Sequence, residues 1–206
     1  MKFTGINHLA FVTDDMTKTI RFYRDLLGME LVAGIGKEGY RHYFFELADG
    51  KTQIAFFEYE GAAQIERKFP GERTTKPIAF DHLSLTVGSK DELFGLRDRL
   101  RAAGLKVHGA VDHGMFWSIY FYDPNNIPLE ASWQFMDVVS PPAMSEDDPM
   151  DVVAEGSSPQ PGHWPEVTTV TAAADMIATE GNALPMREAF LGDGSAVYRA
   201  GQEPIE

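Results

Sequence analysis

Three residues of this 206-residue chain have the types and the placement to bind a metal. His8 and His82 sit in two runs of strand-forming residues, Asn7-His8-Leu9-Ala10-Phe11-Val12 and Asp81-His82-Leu83-Ser84-Leu85-Thr86-Val87. Strand alternation places His8 on a face with Ala10 and Val12, and His82 on a face with Ser84 and Thr86. Leu9 and Phe11, and Leu83, Leu85 and Val87, take the opposite face, which is expected to pack on a helix. Glu130 belongs to a third such run and shares its face with Ser132 and Gln134. The histidines and the glutamate are therefore expected to look into a cavity. A carboxylate buried there without a partner is costly, and a cation is its natural compensation. Two neutral imidazoles and one carboxylate on rigid strands are the donor set that holds divalent iron and leaves coordination positions open. The competing reading has two satisfied core histidines and a glutamate bonded to backbone amides.

The elements that position these residues come as an internal repeat. The two histidines are 74 residues apart. After the first, Asp14 or Asp15 offers an N-cap, Ile20, Tyr23, Leu26 and Leu27 follow at helical spacing, and Gly28 offers a left-handed stop. After the second, Ser89 and Glu92 form a capping box, Leu93, Leu96 and Leu100 recur, and Gly104 ends the helix. Three strand signals follow each helix: Glu30–Ala33, Tyr40–Leu47 and Gln53–Tyr59, then Lys106–Val111, Trp117–Tyr122 and Ile127–Gln134. Each half reads βαβββ, over residues of about 1–60 and 78–136. Neither half can bury a sheet face alone, so the two belong to one α+β domain of paired modules, a mixed sheet cupped around a metal-containing cavity. Gly34-Ile35-Gly36, with Lys37-Glu38-Gly39, reads as a mobile loop. Its glycine spacing and context do not fit a dinucleotide fingerprint.

Composition divides the chain at residue 137. From Asp137 onward there are 13 acidic residues against Arg187 and Arg199, and 8 of the 12 prolines. Residues 137–206 thus read as an acidic, Pro-rich C-terminal extension, either a mobile tail or a strap, with helical potential around Thr168–Thr179 and Leu184–Phe190. A net charge of −13 argues against nucleic acid as a partner. With no cysteine there is no thiolate, disulfide or Cys-zinc site, so any metal must rest on His and carboxylate. No run of apolar residues reaches membrane-spanning length and no secretory signal is evident, so the expectation is a soluble, cytoplasmic protein without a membrane partner.

Residues 1–136 resemble the vicinal oxygen chelate superfamily, which includes glyoxalase I, type I extradiol dioxygenases, fosfomycin-resistance proteins and bleomycin-binding proteins. The resemblance implies paired βαβββ modules and His8, His82 and Glu130 as metal ligands. Glyoxalase-like members add a fourth ligand, which repeat arithmetic maps to Ala55 or Phe56, neither of them a donor. Gln53 shares the face of Ala55 and is a substitute only after a local shift. The second module also resembles the extradiol ring-cleaving signature: His113, then Ile119-Tyr120, Asp123-Pro124 and Glu130. In that signature the Tyr and the upstream His contact metal-bound substrate oxygens, so Tyr120 and His113 become candidate catalytic residues. A structural Tyr and an exposed loop His are the alternatives. Asn126 departs from the usual Gly or Pro of the turn. The catalytic His of two-domain extradiol enzymes has no counterpart in Glu66-Arg67-Lys68-Phe69. His42 is a possible replacement, or else a packing residue. Phe116 and Trp117, beside His113, are placed to close over an aromatic ligand.

The expected function is a mononuclear non-haem Fe(II) dioxygenase of extradiol type, acting on a small catechol-like aromatic and O2, and assembled as a homodimer. The alternatives are a glyoxalase-like lyase or isomerase using Mn, Ni, Co or Zn, or a metal-free binding module of resistance type.

Overall fold

The structure, a computed structural model, describes residues 3–37, 39–76, 80–145, 148–181, 183–201 and 204. The chain divides into two compact units, Met1–Asp137 and Val138–Glu206.

The first unit holds two modules of the same order. Module one is β1 (His8–Thr13), α1 (Met16–Ile20) running into a π-helical stretch Arg21–Leu26, then β2 (Glu30–Lys37), β3 (Tyr40–Glu46) and β4 (Gln53–Tyr59). Module two is β5 (Leu83–Thr86), α2 (Lys90–Ala102), β6 (His108–Asp112), β7 (Phe116–Tyr122) and β8 (Pro128–Gln134). Local chemistry fixes both helices. Asp15 caps α1 by accepting from Lys18 N at 2.9 Å, and Ser89 caps α2 by accepting from Glu92 N at 3.1 Å. Glu92 answers by accepting from Gly88 N at 2.7 Å, one residue earlier than the usual reciprocal bond of a capping box. Gly28 and Gly104 end the helical segments at φ of +80° and +81°, a conformation that favours glycine.

Each module forms a four-stranded mixed sheet, ordered β1-β4-β3-β2 and β5-β8-β7-β6. The first strand pairs parallel to the last, and the other pairings are antiparallel. Two sheets that each curl on one face give the cupped α+β architecture expected from the repeat. The registers also correspond: Ser84 lies opposite Glu130 in module two, and Ala10 lies opposite Ala55 in module one. Ala55 therefore occupies the place of Glu130, and Gln53 lies two residue pairs further along, opposite His8.

The faces turned away from the cups meet in one core, in which Phe22, Tyr23, Phe45 and Phe56 join Leu93, Leu100, Phe121 and Leu129. Removing such side chains from water stabilises the fold by roughly 1.5–3 kcal/mol each. Polar groups cross the module boundary within it. The Tyr23 hydroxyl donates to Asp123 Oδ2 at 3.1 Å, and Thr13 donates to Asn125 Oδ1 at 2.7 Å.

Two local expectations are corrected. Gly34-Ile35-Gly36 is part of β2 and not a mobile loop, because Gly34 lies opposite Tyr43 and a Cβ there would come within 2.8 Å of the ring. Glycine is used at that point for close packing. In the second unit, Thr168–Thr179 contains only a 3-10 turn at Ala173–Asp175, whereas Leu184 does begin a helix, α3 (Leu184–Asp193), stopped by Gly194 at φ +77°.

Candidate functional site

The cup of module two carries a cluster centred on Glu130. Register places Ser84 and Tyr120 on either side of it, and His82 lies two residues before Ser84 on the same face. His82 Nε2 stands 2.9 Å from Glu130 Oε2. Glu130 is 4% exposed, so its carboxylate is held almost without water. Burial alone would push its pKa up. The hydroxyls of Ser118, Tyr120 and Ser84, with the His82 imidazole, outweigh that and hold it below the ordinary carboxylate value. Beyond Glu130 the hydroxyls form a row, Ser84 to Ser132 at 2.7 Å and Ser132 to Ser118 at 3.0 Å.

His82 is oriented from behind. Its Nδ1 is 2.6 Å from Asp81 Oδ1. Asp81 is itself held by Lys68 Nζ at 2.5 Å and by Gly71 N at 2.9 Å, and the Lys68 ammonium, then His82, keep its carboxyl well below the usual range. Module one repeats the device: His8 Nδ1 is 2.7 Å from Asn7 Oδ1, and Nε2 is left without a hydrogen bond among the described residues. In both modules the residue before the histidine engages Nδ1, which leaves Nε2 to face Glu130 in His82 and without a hydrogen bond among the described residues in His8. This is the arrangement a metal-ligating imidazole requires.

Tyr120 and His113 meet, with Tyr120 Oη 2.7 Å from His113 Nε2. Burial, then Glu130, raises the Tyr120 hydroxyl to about 12, so it keeps its proton at neutral pH. That proton has two acceptors within reach of the ring's position, His113 and Glu130. Phe69, from the chain between the modules, lies over Tyr120 and His108, with ring centroids 5.8 and 5.1 Å away. Phe116 shares the cup face and lies 5.2 Å from His113. Trp117 does not close over the site. It takes the opposite parity and packs against Trp133 and Phe135, which corrects the expectation for that residue.

His42 lies in β3 on the His8 face, turned inward. It is 6% exposed, stacked on Phe57 at 3.5 Å, and its Nε2 has no hydrogen-bond partner among the described residues. Burial, then His8, lowers its pKa, which favours the neutral ring. The chain thus brings together His82, Glu130, Tyr120 and His113 on module two, and keeps His8 and His42 on module one. Among the described residues of one chain, no three His, Asp or Glu converge as a metal-binding group. The donors nevertheless fit a divalent ion in kind: two imidazoles whose Nδ1 is engaged by the preceding residue, and a buried carboxylate that no Lys or Arg among the described residues neutralises.

The sequence did not reveal the roles of Asn7 and Asp81, although their repeat before each histidine was the available signal. The serine row was visible only as face-sharing polar residues. The placement of Phe69 and His108 depends on a connection with no periodicity to read.

Residues 5–131 match the model of the Glyoxalase/Bleomycin resistance protein/Dioxygenase superfamily. The chain is 27% identical over 135 residues to the Bacillus subtilis (strain 168) protein YwkD, described as uncharacterized, covering 63% of this chain and 97% of that protein. It is also similar to the glyoxylase/bleomycin resistance protein/dioxygenase domain from Frankia sp. EAN1pec, with a TM-score of 0.55 and 24% identity over 65% of this chain and 100% of that one. The fosfomycin resistance protein FosX from Listeria monocytogenes is similar with a TM-score of 0.51 and 21% identity, covering 66% of this chain and 94% of FosX. These likenesses show the fold. No helix among the described residues is long and apolar enough to cross a membrane.

Proposed function

Because this chain belongs to the Glyoxalase/Bleomycin resistance protein/Dioxygenase superfamily, we propose that it is a metal-dependent, extradiol-type dioxygenase of a small catechol-like aromatic, working as a homodimer. The observation that carries the reading is the Tyr120–His113 pair at 2.7 Å beside the buried carboxylate of Glu130. It sets a proton donor and a proton acceptor next to two of the three metal-ligand candidates. His82 and Glu130 of one copy, with His8 of a second, would hold the ion. The exposed position of His8 and its unbonded Nε2 support completion of the set between chains.

Divalent iron, when bound, supplies open coordination positions where a vicinal diol and O2 meet. The chain's own residues do the rest. Tyr120 donates its retained proton to a substrate oxygen, and His113 Nε2 accepts or returns one. Phe69 and Phe116 offer rings for an aromatic substrate and exclude water around it. Ser84, Ser118 and Tyr120 keep Glu130 ionised and oriented. His42, buried and neutral beside His8, is the further base that a second copy brings to the completed site. A lyase or isomerase of glyoxalase type, using Mn, Ni, Co or Zn, would be favoured by a fourth donor, and Ala55 stands at that position.

The test is metal analysis of protein purified without chelator, followed by anaerobic Fe(II) loading and oxygen uptake with a panel of catechols. Near-stoichiometric iron, catechol-dependent uptake and a yellow ring-opened product are expected. Retained Ni or Zn without uptake would replace the dioxygenase with the lyase or isomerase. No retained metal, with intact ligand binding, would replace it with a binding module.

A further inference from the structure

The connection between β4 and β5 forms one wall of a pocket of about 570 Å3 that contains none of the metal-ligand candidates. Residues 77–79 of that connection lie outside the described residues. Four cations line the pocket, Arg67, Lys68, Arg73 and Lys76, on a chain whose net charge is −13. Two are already neutralised: Lys68 pairs with Asp81 and Lys76 with Glu66. The other two are not. Among the described residues Arg67 has only neutral partners, donating to Asn126 Oδ1 at 2.7 Å and lying 4.9 Å over the Tyr122 ring. Arg73 has no hydrogen bond or ion pair among the described residues. Among the described residues Glu72 is the one carboxylate of the wall without a cation, so two guanidiniums stand against a single carboxylate. Ile65, Phe80 and Pro128 supply apolar surface beside them.

A guanidinium presents its donors as a planar fork that matches a carboxylate or phosphate. Two uncompensated forks beside an apolar wall recognise a molecule with both characters. We propose that this pocket is a second small-molecule site, for a compact ligand carrying one carboxylate or phosphate on an apolar body. It is separate from the metal cup. Pro128 stands two residues before Glu130 on the same face of β8, about 7 Å along the strand. The site needs no metal, and it stands whether or not the iron reading does.

The experiment is calorimetric titration of the full chain, freed of metal by chelator, with benzoate and with phenyl phosphate, and with benzyl alcohol as the neutral control. One anion should bind saturably, and the tighter of the two identifies the oxyanion. The neutral probe should not bind. Arg73→Glu should weaken binding by about tenfold or more, Arg73→Lys should retain part of it, and Glu130→Ala should leave it unchanged. Arg73 makes no bond among the described residues, so its replacement leaves the fold intact, whereas Arg67 also anchors Tyr122 and Asn126. Absence of saturable binding at millimolar ligand would overturn the proposal. So would equal affinity in Arg73→Glu, or a loss in Glu130→Ala as large as in Arg73→Glu, which would place the ligand in the metal cup.

Discussion

Asp81 Oδ1 lies 2.6 Å from His82 Nδ1, and Asn7 Oδ1 stands to His8 in the same way at 2.7 Å. An ionised carboxylate can only accept, so His82 donates from Nδ1 to Asp81, and Nε2 is the ring nitrogen turned towards Glu130. The two devices differ in charge, and only Asp81 makes its histidine a stronger donor to a cation. Asp81→Asn is therefore expected to lower divalent-metal affinity by about 10–100-fold in a chelator-competition titration, with the folded spectrum unchanged. Unchanged affinity would reduce Asp81 to an anchor for Lys68.

Tyr120 touches the proposed chemistry without being a ligand, and its replacement should separate the two roles. Tyr120→Phe removes the proton and keeps the ring against Phe69. Bound iron should stay stoichiometric while catechol-dependent oxygen uptake falls by about 10²–10⁴-fold. His113→Ala should show the same split with a smaller loss, because water reaches that exposed position. Loss of metal in either variant would contradict the assignment.

The repeat was legible because the same local signals occur twice: histidine in a strand, a capped helix, a glycine stop, three short strands. Those signals act over a few residues, and periodicity reports them directly. The face shared by His82, Ser84, Glu130 and Tyr120 followed from alternation and needed no structure. Gly34 was misread because glycine signals a loop unless its cross-strand neighbour is known, and here that neighbour is the Tyr43 ring. Trp117 was misread because adjacency to His113 in sequence says nothing about the parity that turns it away. His8 and His82 looked equivalent in sequence. Whether they meet depends on how the two modules pack, which is carried by long-range contacts such as Tyr23 with Asp123.

That last contact also controls stability. Burial holds the Asp123 carboxyl above its ordinary 3.8, although Asn125, Ile127 and Tyr23 all donate to it. With the folded value raised, the stabilisation from this group is fully present below the unfolded value and is lost as pH rises through the folded one. Tyr23→Phe removes a donor that favours the ionised form, so it should raise the folded value further. The variant is expected to be destabilised by about 1–3 kcal/mol at pH 7 and by clearly less at about pH 4, measured by urea unfolding. A penalty equal at both pH values would mean that the hydroxyl does not act on the charge of Asp123.

The division of the ligands between modules leads to a prediction about assembly. If each site takes His8 from one copy and His82 with Glu130 from the other, His8→Ala and His82→Ala should each lose bound metal alone. Unfolded together in equal amounts and refolded, half of the dimers pair one variant with the other. In each mixed dimer, the His82→Ala chain supplies an intact His8 to the intact His82 and Glu130 of its partner, and the second site carries both defects. About a quarter of the wild-type metal content should therefore return, with oxygen uptake in proportion. A site closed within one chain cannot be rescued this way, because every chain in the mixture lacks one of its own ligands. No recovery, in a mixture shown to contain mixed dimers, would place all three ligands within one copy and require the modules to pack differently around the metal.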